Sequence, residues 1–145
     1  MDKKTYELVF DGKPVAKARP RFCRRGNYVG TYKLSDEQKL EDLYKCSALL
    51  QLKEQGLRTP IKKGVAVKLS MEFVFEFPKS CSKKKRAELI GRPHTIKPDF
   101  DNLEKFYKDT LNGILYEDDS QVARIGDSGK TWGEKAETRI TVEIL

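Results

Sequence analysis

The chain has 145 residues and a net charge of +7, from 29 Lys and Arg against 22 Asp and Glu, with 38% hydrophobic residues and a single His. A length near ~150 residues bounds it to one domain, residues 1–145, large enough for a real core. Three widely spaced cysteines (Cys23, Cys46 and Cys81) without C-x-x-C spacing suit reduced intracellular thiols better than a disulfide framework or a zinc site. No apolar run approaches a signal peptide or a membrane span, so a cytoplasmic protein with no membrane partner is expected.

Tyr6, Leu8 and Phe10 alternate with polar residues before Asp11-Gly12-Lys13-Pro14, which predicts a strand and a hairpin-like return over 15–19. Residues 20–34 are basic, with Phe22, Tyr28 and Tyr32 interleaved, and read as a loop. Ser35-Asp36-Glu37-Gln38 has the spacing of a capping box. Leu40, Leu43, Tyr44, Ser47 and Leu50 continue at helical spacing, and Gly56 offers the stop. Val65, Val67, Leu69, Met71, Phe73, Phe75 and Phe77 take every second position, predicting the central strand, and Pro78 ends it.

Lys83-Lys84-Lys85-Arg86 opens a short helix through Ile90. Asp101-Asn102-Leu103-Glu104 has the form of an N-cap with Glu three residues on, and Leu103, Phe106, Tyr107 and Leu111 share one apolar face. Asn112-Gly113 closes that helix, and 121–125 and 140–144 read as final strands. The order β-β-α-β-α-α-β-β predicts an α+β domain: a mixed β-sheet with helices packed on it.

Charge is unevenly distributed. Lys13, Lys17, Arg19, Arg21, Arg24, Arg25 and Lys33 lie between Gly12 and Ser35 with no acid among them. Setting these seven aside leaves as many Lys and Arg as the 22 Asp and Glu. The positive excess therefore sits in one segment, which points to a polyanion surface: nucleic acid first, anionic membrane second. The run from Lys83 to Arg86 is a second candidate contact for nucleic acid.

The acidic residues suggest the chemistry. Asp99 and Asp101 stand at a helix entrance, and Asp118 and Asp119 follow its exit. The helix spans roughly 18 Å at about 12 residues, and an extended 114–116 segment is long enough to return the second pair along it. Four carboxylates in one volume repel unless protonated or bridged by a cation. A hard divalent ion such as Mg²⁺ is the natural bridge. Such an ion polarises a phosphoryl oxygen and acidifies bound water, while Lys105, one turn beyond Asp101, is a point charge suited to a scissile phosphate.

Lys97-Pro98-Asp99-Phe100-Asp101-Asn102-Leu103-Glu104-Lys105, then 109–113 (Asp-Thr-Leu-Asn-Gly) and 116–122 (Tyr-Glu-Asp-Asp-Ser-Gln-Val), resemble the RusA family of Holliday junction resolvases. Residues 12–22 (Gly-Lys-Pro-Val-Ala-Lys-Ala-Arg-Pro-Arg-Phe) and His94, before Thr-x-Lys-Pro-Asp, are similar to phage and prophage members. The resemblance is dense over 92–124 and looser elsewhere. It implies a homodimeric, Mg²⁺-dependent crossover junction endodeoxyribonuclease, with Mn²⁺ as a substitute. Such an enzyme binds four-way branched DNA and nicks two opposed strands symmetrically, in recombination and repair. It implies Asp99, Asp101 and Asp119 as essential carboxylates and metal ligands, Lys105 as the essential lysine, and Asp118 as a further candidate ligand. Lys13, Lys17, Arg19, Arg21, Arg24, Arg25, Lys83, Lys84, Lys85 and Arg86 are the candidate DNA contacts. A DNA-binding protein without catalysis, and a related flap or fork nuclease, stand as alternatives.

Overall fold

Alternating apolar residues demand a strand with one face in a core, and β4 (Val67–Glu76) is that strand. The computed structural model describes residues 5–17, 21–25, 28–32 and 35–145, of which 21–25, 28–32 and 35 are described in backbone only. Val67, Leu69, Met71, Phe73 and Phe75 are all buried, while the residues between them are half-buried. β7 (Glu137–Ile144) pairs antiparallel with β4, setting Leu69 opposite Val142 and Met71 opposite Ile140. β1 (Thr5–Asp11) pairs antiparallel with the far edge of β7. On the other edge of β4, β5 (Val122–Ile125) runs parallel to its first half and β6 (Gly129–Gly133) parallel to its second. The sheet is five-stranded and mixed.

Two helices, α1 (Ser35–Glu54) and α3 (Phe100–Thr110), close the apolar face, and the short α2 (Lys83–Leu89) buries no residue. The centre of the core is aromatic. Phe10 stacks on Tyr44 at 5.1 Å, Phe106 meets Tyr107 edge-on at 5.1 Å, and Phe73 lies 5.6 Å from Tyr107. Each such pair adds about 0.5–1.5 kcal/mol beyond its buried area. The single α+β domain expected from the pattern is therefore present.

Several local expectations are corrected. The 20–34 segment is not simply a loop: β2 (Arg21–Arg25) and β3 (Tyr28–Tyr32) pair antiparallel, with Arg25 opposite Tyr28. The intervening Gly26-Asn27 is a hairpin-type dipeptide in the sequence, but the abundance of charge masked it. Of the 15–19 return, residues 18 and 19 lie outside the described residues, and 15–17 form no strand. Instead the Val15 amide donates to the Tyr107 hydroxyl at 3.0 Å and the Lys17 amide to the Asn102 carbonyl at 2.9 Å. The chain crosses α3 because Val15 and Ala16 pack on the core, and β7 occupies the edge of β1 instead. β6, with a glycine at each end and one apolar residue, Trp132, had no strand pattern to announce it.

In α1 the Gln38 amide donates forward to Asp42 at 2.9 Å, and the Ser35 side chain of the expected capping box lies outside what the structure describes. The buried face of α1 is Glu41, Tyr44, Ala48 and Leu52. Leu43 and Leu50, expected on it, are 63% and 62% exposed. The helix carries apolar residues on two faces, and periodicity alone could not choose between them.

Candidate active site

The entry to α3 is held by its neighbour in the sheet. Lys130 on β6 donates its ammonium to the carbonyls of Ile96 and Pro98, each at 2.6 Å, fixing the backbone just before Asp99. The Lys97–Pro98 peptide is cis. Asp99 takes the N-cap position (φ −70°, ψ 145°), and its side chain makes no capping bond. The helix starts at Phe100, whose ring meets Phe73 edge-on at 5.5 Å. Burying that ring in the first turn places the boundary two residues earlier than the predicted cap at Asp101.

Asp101 lies in the first turn, where its Oδ1 accepts from the Asn102 amide at 3.0 Å and its charge complements the helix N-terminus. Leu103, Phe106, Tyr107 and Thr110 face the core, which leaves Asp101 and Lys105, four residues apart, on the opposite, solvent side. Asp99, Asp101 and Lys105 are exposed together at this end of the helix.

The second acidic pair takes a different course from the one expected. Segment 114–116 is not extended. The Leu115 amide donates back to Leu111 at 3.0 Å, the Gly113 amide to Tyr116 at 2.8 Å, and the Tyr116 hydroxyl to Lys108 at 2.8 Å. Gly113 sits at φ +78°, where a side chain would be strained. Burial of Leu115 and Tyr116 holds the chain at the C-terminal end of α3.

Buried Gln121 then sets the acidic turn. Its amide nitrogen donates to the carbonyls of Ile61 (3.2 Å), Lys62 (2.9 Å) and Val65 (3.0 Å). Its amide oxygen accepts from the Asp118 backbone at 3.0 Å. Glu117 completes the clamp by accepting from the Lys63 amide at 2.7 Å.

Among the described residues, the electrostatic partners of Asp119 are Asp118, Asp109 and Asn112, not the Asp-x-Asp pair. Asp101 and Asp109 are separated by about 12 Å of helix rise, so the pattern gathers two acidic groups at two ends of one helix. Partial burial raises the Asp119 pKa, and the Asp118 hydrogen bond and the Asp109 and Asp118 charges raise it further, while Asn112 partly offsets them. The Asp118 pKa is lowered, first by the Ser120 hydroxyl, which donates to it at 2.8 Å. Adjacent carboxylates driven in opposite directions are an arrangement suited to proton handling.

Oxygen donors of this kind suit a hard cation, and the buried Asn112 Oδ1 beside Asp119 has no hydrogen-bond partner. The positions do not close round an ion: among the described residues no three Asp, Glu, His or Cys side chains are grouped to hold one.

The candidate DNA contacts divide. Lys13 is exposed, and Lys83, Lys84, Lys85 and Arg86 are exposed along α2, with Arg86 also 6.0 Å from the Phe77 ring centre. Arg21, Arg24 and Arg25 lie on β2, and Arg19 lies outside the described residues. Lys17 is committed within the protein, 3.3 Å from Asp109 and 3.7 Å from Glu41. It anchors the segment that leads to the basic hairpin. Gln121, Asp109 and Asn112 were visible in the sequence motif but had no assigned role, and Lys130 had no sequence signal.

His94 is a packing residue. It is 6% exposed, stacks on Phe75 (4.0 Å) and meets Trp132 at a tilt (4.5 Å), and its Nδ1 has no hydrogen-bond partner. Burial, then the Lys130 charge, lowers its pKa from 6.5, against a backbone hydrogen bond, and Lys13 adds to the lowering. The unfolded chain therefore binds the proton more readily than the fold. Stability is expected to fall as pH drops below about 6.5 and to level off below the lowered folded-state pKa. Melting temperatures across pH 4–8 should show this slope at about that window, and His94→Phe should flatten it. An unchanged slope would refute the assignment.

An exposed acid pair with a lysine at a helix entrance, on a protein that also carries a basic hairpin and a basic α2, points to chemistry on a polyanion, and relatives narrow that class. The pattern of the family described as Endodeoxyribonuclease RusA matches residues 11–144. A Bacillus subtilis (strain 168) protein described as "Uncharacterized protein YqaN" is 36% identical over 138 residues, covering 92% of this chain and 90% of its own. The chain belongs to the RusA endodeoxyribonuclease family and is a DNA endonuclease.

Proposed function

We propose that the protein resolves four-way DNA junctions as a homodimer, by paired symmetric nicks that need Mg²⁺ or Mn²⁺, in the cytoplasm of a bacterial or phage-infected cell. The observation that carries this reading is the exposed grouping of Asp99, Asp101 and Lys105 at the entrance of α3, inside the stretch matched to the family. Asp99 and Asp101 would hold the cation at the entrance of α3, while Asp119, with Asp118 beside it, is a further essential carboxylate at the other end of that helix. The bound cation supplies electron withdrawal from the phosphoryl oxygen and a more acidic water.

Lys105 stabilises the charge that grows on the phosphate. The basic hairpin, Lys13 and α2 engage the phosphate backbone, so affinity falls as salt rises. Two copies related by a two-fold axis match the pseudo-two-fold symmetry of a junction.

A strand-by-strand cleavage assay on a labelled four-way junction, with Mg²⁺ and with EDTA, tests the reading. Paired symmetric nicks that require Mg²⁺ are expected. Preferential cutting of flaps or forks, or tight junction binding without cleavage, would overturn it.

A further inference from the structure

Lys130 is a lysine on the core side of the sheet. In β6 it lies opposite Phe73 of β4, and Trp132 lies opposite Phe75, so both side chains share the face on which the two phenylalanines are buried. An ammonium on that face needs acceptors, because an unpaired charge drawn out of water is strongly disfavoured. The acceptors it has are the backbone carbonyls of Ile96 and Pro98, immediately before the acid pair.

The path of the chain shows what this contact does. Residues 91–94 run antiparallel beside β6, with Pro93 opposite Thr131. The Gly91 amide donates to the Trp132 carbonyl at 2.9 Å, the Trp132 amide to the Arg92 carbonyl at 3.0 Å, and the His94 amide to the Lys130 carbonyl at 2.8 Å. His94 makes the last of these bonds, and Pro98 has no amide hydrogen with which to resume the ladder. The Lys130 side chain takes over where the ladder ends, gripping the carbonyls on either side of Lys97.

Three grips then bracket Asp99 and Asp101. Lys130 holds the backbone before them, the Phe100 ring between them sits edge-on against Phe73, and the Lys17 amide holds the Asn102 carbonyl just after. Both carboxylates are exposed, and Asp99 makes no capping bond, so its aim is set by the backbone that carries it. Of the three grips, only Lys130 can be released without opening the core or breaking a backbone pair.

We propose that Lys130 is a positioning residue of this endonuclease: its ammonium presets the 96–98 backbone, and through it the aim of Asp99 and Asp101. The inference rests on the reading of that pair as the centre of the chemistry, and not on a four-way junction as the substrate. A misplacement of about 1 Å lowers a rate by on the order of 10²-fold, so the effect belongs in kcat.

Lys130→Met keeps the stem and removes the donors. It should melt close to the wild type, since Ile96 is exposed and Pro98 half-buried, which leaves their carbonyls open to water. With Mg²⁺, kcat should fall about 10–100-fold, with KM and the DNA affinity in EDTA unchanged. In the free protein, the Leu103 amide, which donates to the Asp99 carbonyl, should exchange its hydrogen faster, while β4 and β7 keep their protection. In a Cys23→Ser, Cys46→Ser, Cys81→Ser background, Lys130→Cys should be equally slow. Alkylation of its thiol by 2-bromoethylamine, with loss of bromide, restores an ammonium at lysine's reach and should restore cleavage.

An unchanged kcat in folded Lys130→Met, a loss confined to KM or to affinity in EDTA, or no recovery after alkylation would each overturn the proposal. A wild type that cuts flaps or forks but no four-way junction would overturn the resolvase reading alone, and kcat is then read on the substrate it cuts. Junctions cut equally well by wild type and Lys130→Met would do the reverse.

Discussion

Asp101→Asn is expected to reduce junction cleavage by on the order of 10²–10³-fold, the scale of losing one charged or polar stabiliser of the transition state. Binding should persist. The side chain is exposed at the start of α3, and Asn keeps its shape and its ability to accept from the Asn102 amide. The loss of a favourable charge at the helix N-terminus costs only about 0.3–1 kcal/mol. A fold defect is therefore not an available explanation for lost activity. Affinity measured in EDTA should hold or improve slightly, because one negative charge has been removed from a surface that meets phosphate. Single-turnover cleavage with Mg²⁺, set beside the EDTA affinity, separates the two effects. Cleavage near the wild-type rate would remove Asp101 from the chemistry.

Gln121→Leu is expected to be the most damaging single change in the acidic turn, and for a different reason. The side chain is 6% exposed and occupies both ends of its amide: three backbone carbonyls on one, the Asp118 amide on the other. Leucine nearly matches its volume and satisfies none of these groups. Each unsatisfied buried group costs about 1–3 kcal/mol, so a loss of roughly 3 kcal/mol is a conservative expectation. For a domain of this size that lowers the melting temperature by about 10 °C. Activity should fall further than stability predicts, by about 10–100-fold at temperatures where the variant is folded, as when groups that orient catalytic ligands are removed. Denaturation and cleavage at 20 °C read the two. Full activity in a destabilised but folded variant would make Gln121 a purely structural residue.

The contrast between these residues shows where sequence reading works. Asp99, Asp101 and Lys105 are local: helical spacing against the buried Leu103, Phe106 and Tyr107 was enough to put them on the solvent side, and the structure has them there. The partners of Asp119 are not local. The expectation that the acidic turn would run back to the helix entrance relied on chain length alone, and length permits many paths. Hydrogen bonds from Leu115 and Tyr116 into the end of α3, the Gly113–Tyr116 turn, and the grip of Gln121 on 61–65 select one of them. Lys17 is a similar case. Its charge is plain in the sequence, but only the fold brings Glu41 and Asp109 to it.

The sequence by itself determined the central strand, the inward face of α3, the exposed acid pair with its lysine, and the concentration of positive charge before α1. Each depends on periodicity or composition within one segment, where neighbours along the chain carry the information. Only the tertiary structure decided which face of α1 is buried, that Val15 crosses α3 instead of pairing with β1, and where the second acidic pair comes to rest. Those outcomes come from competition between surfaces far apart in the chain: whichever arrangement buries Tyr44, Leu52, Leu115 and Tyr116 together while satisfying their backbone wins, and no single segment encodes that comparison.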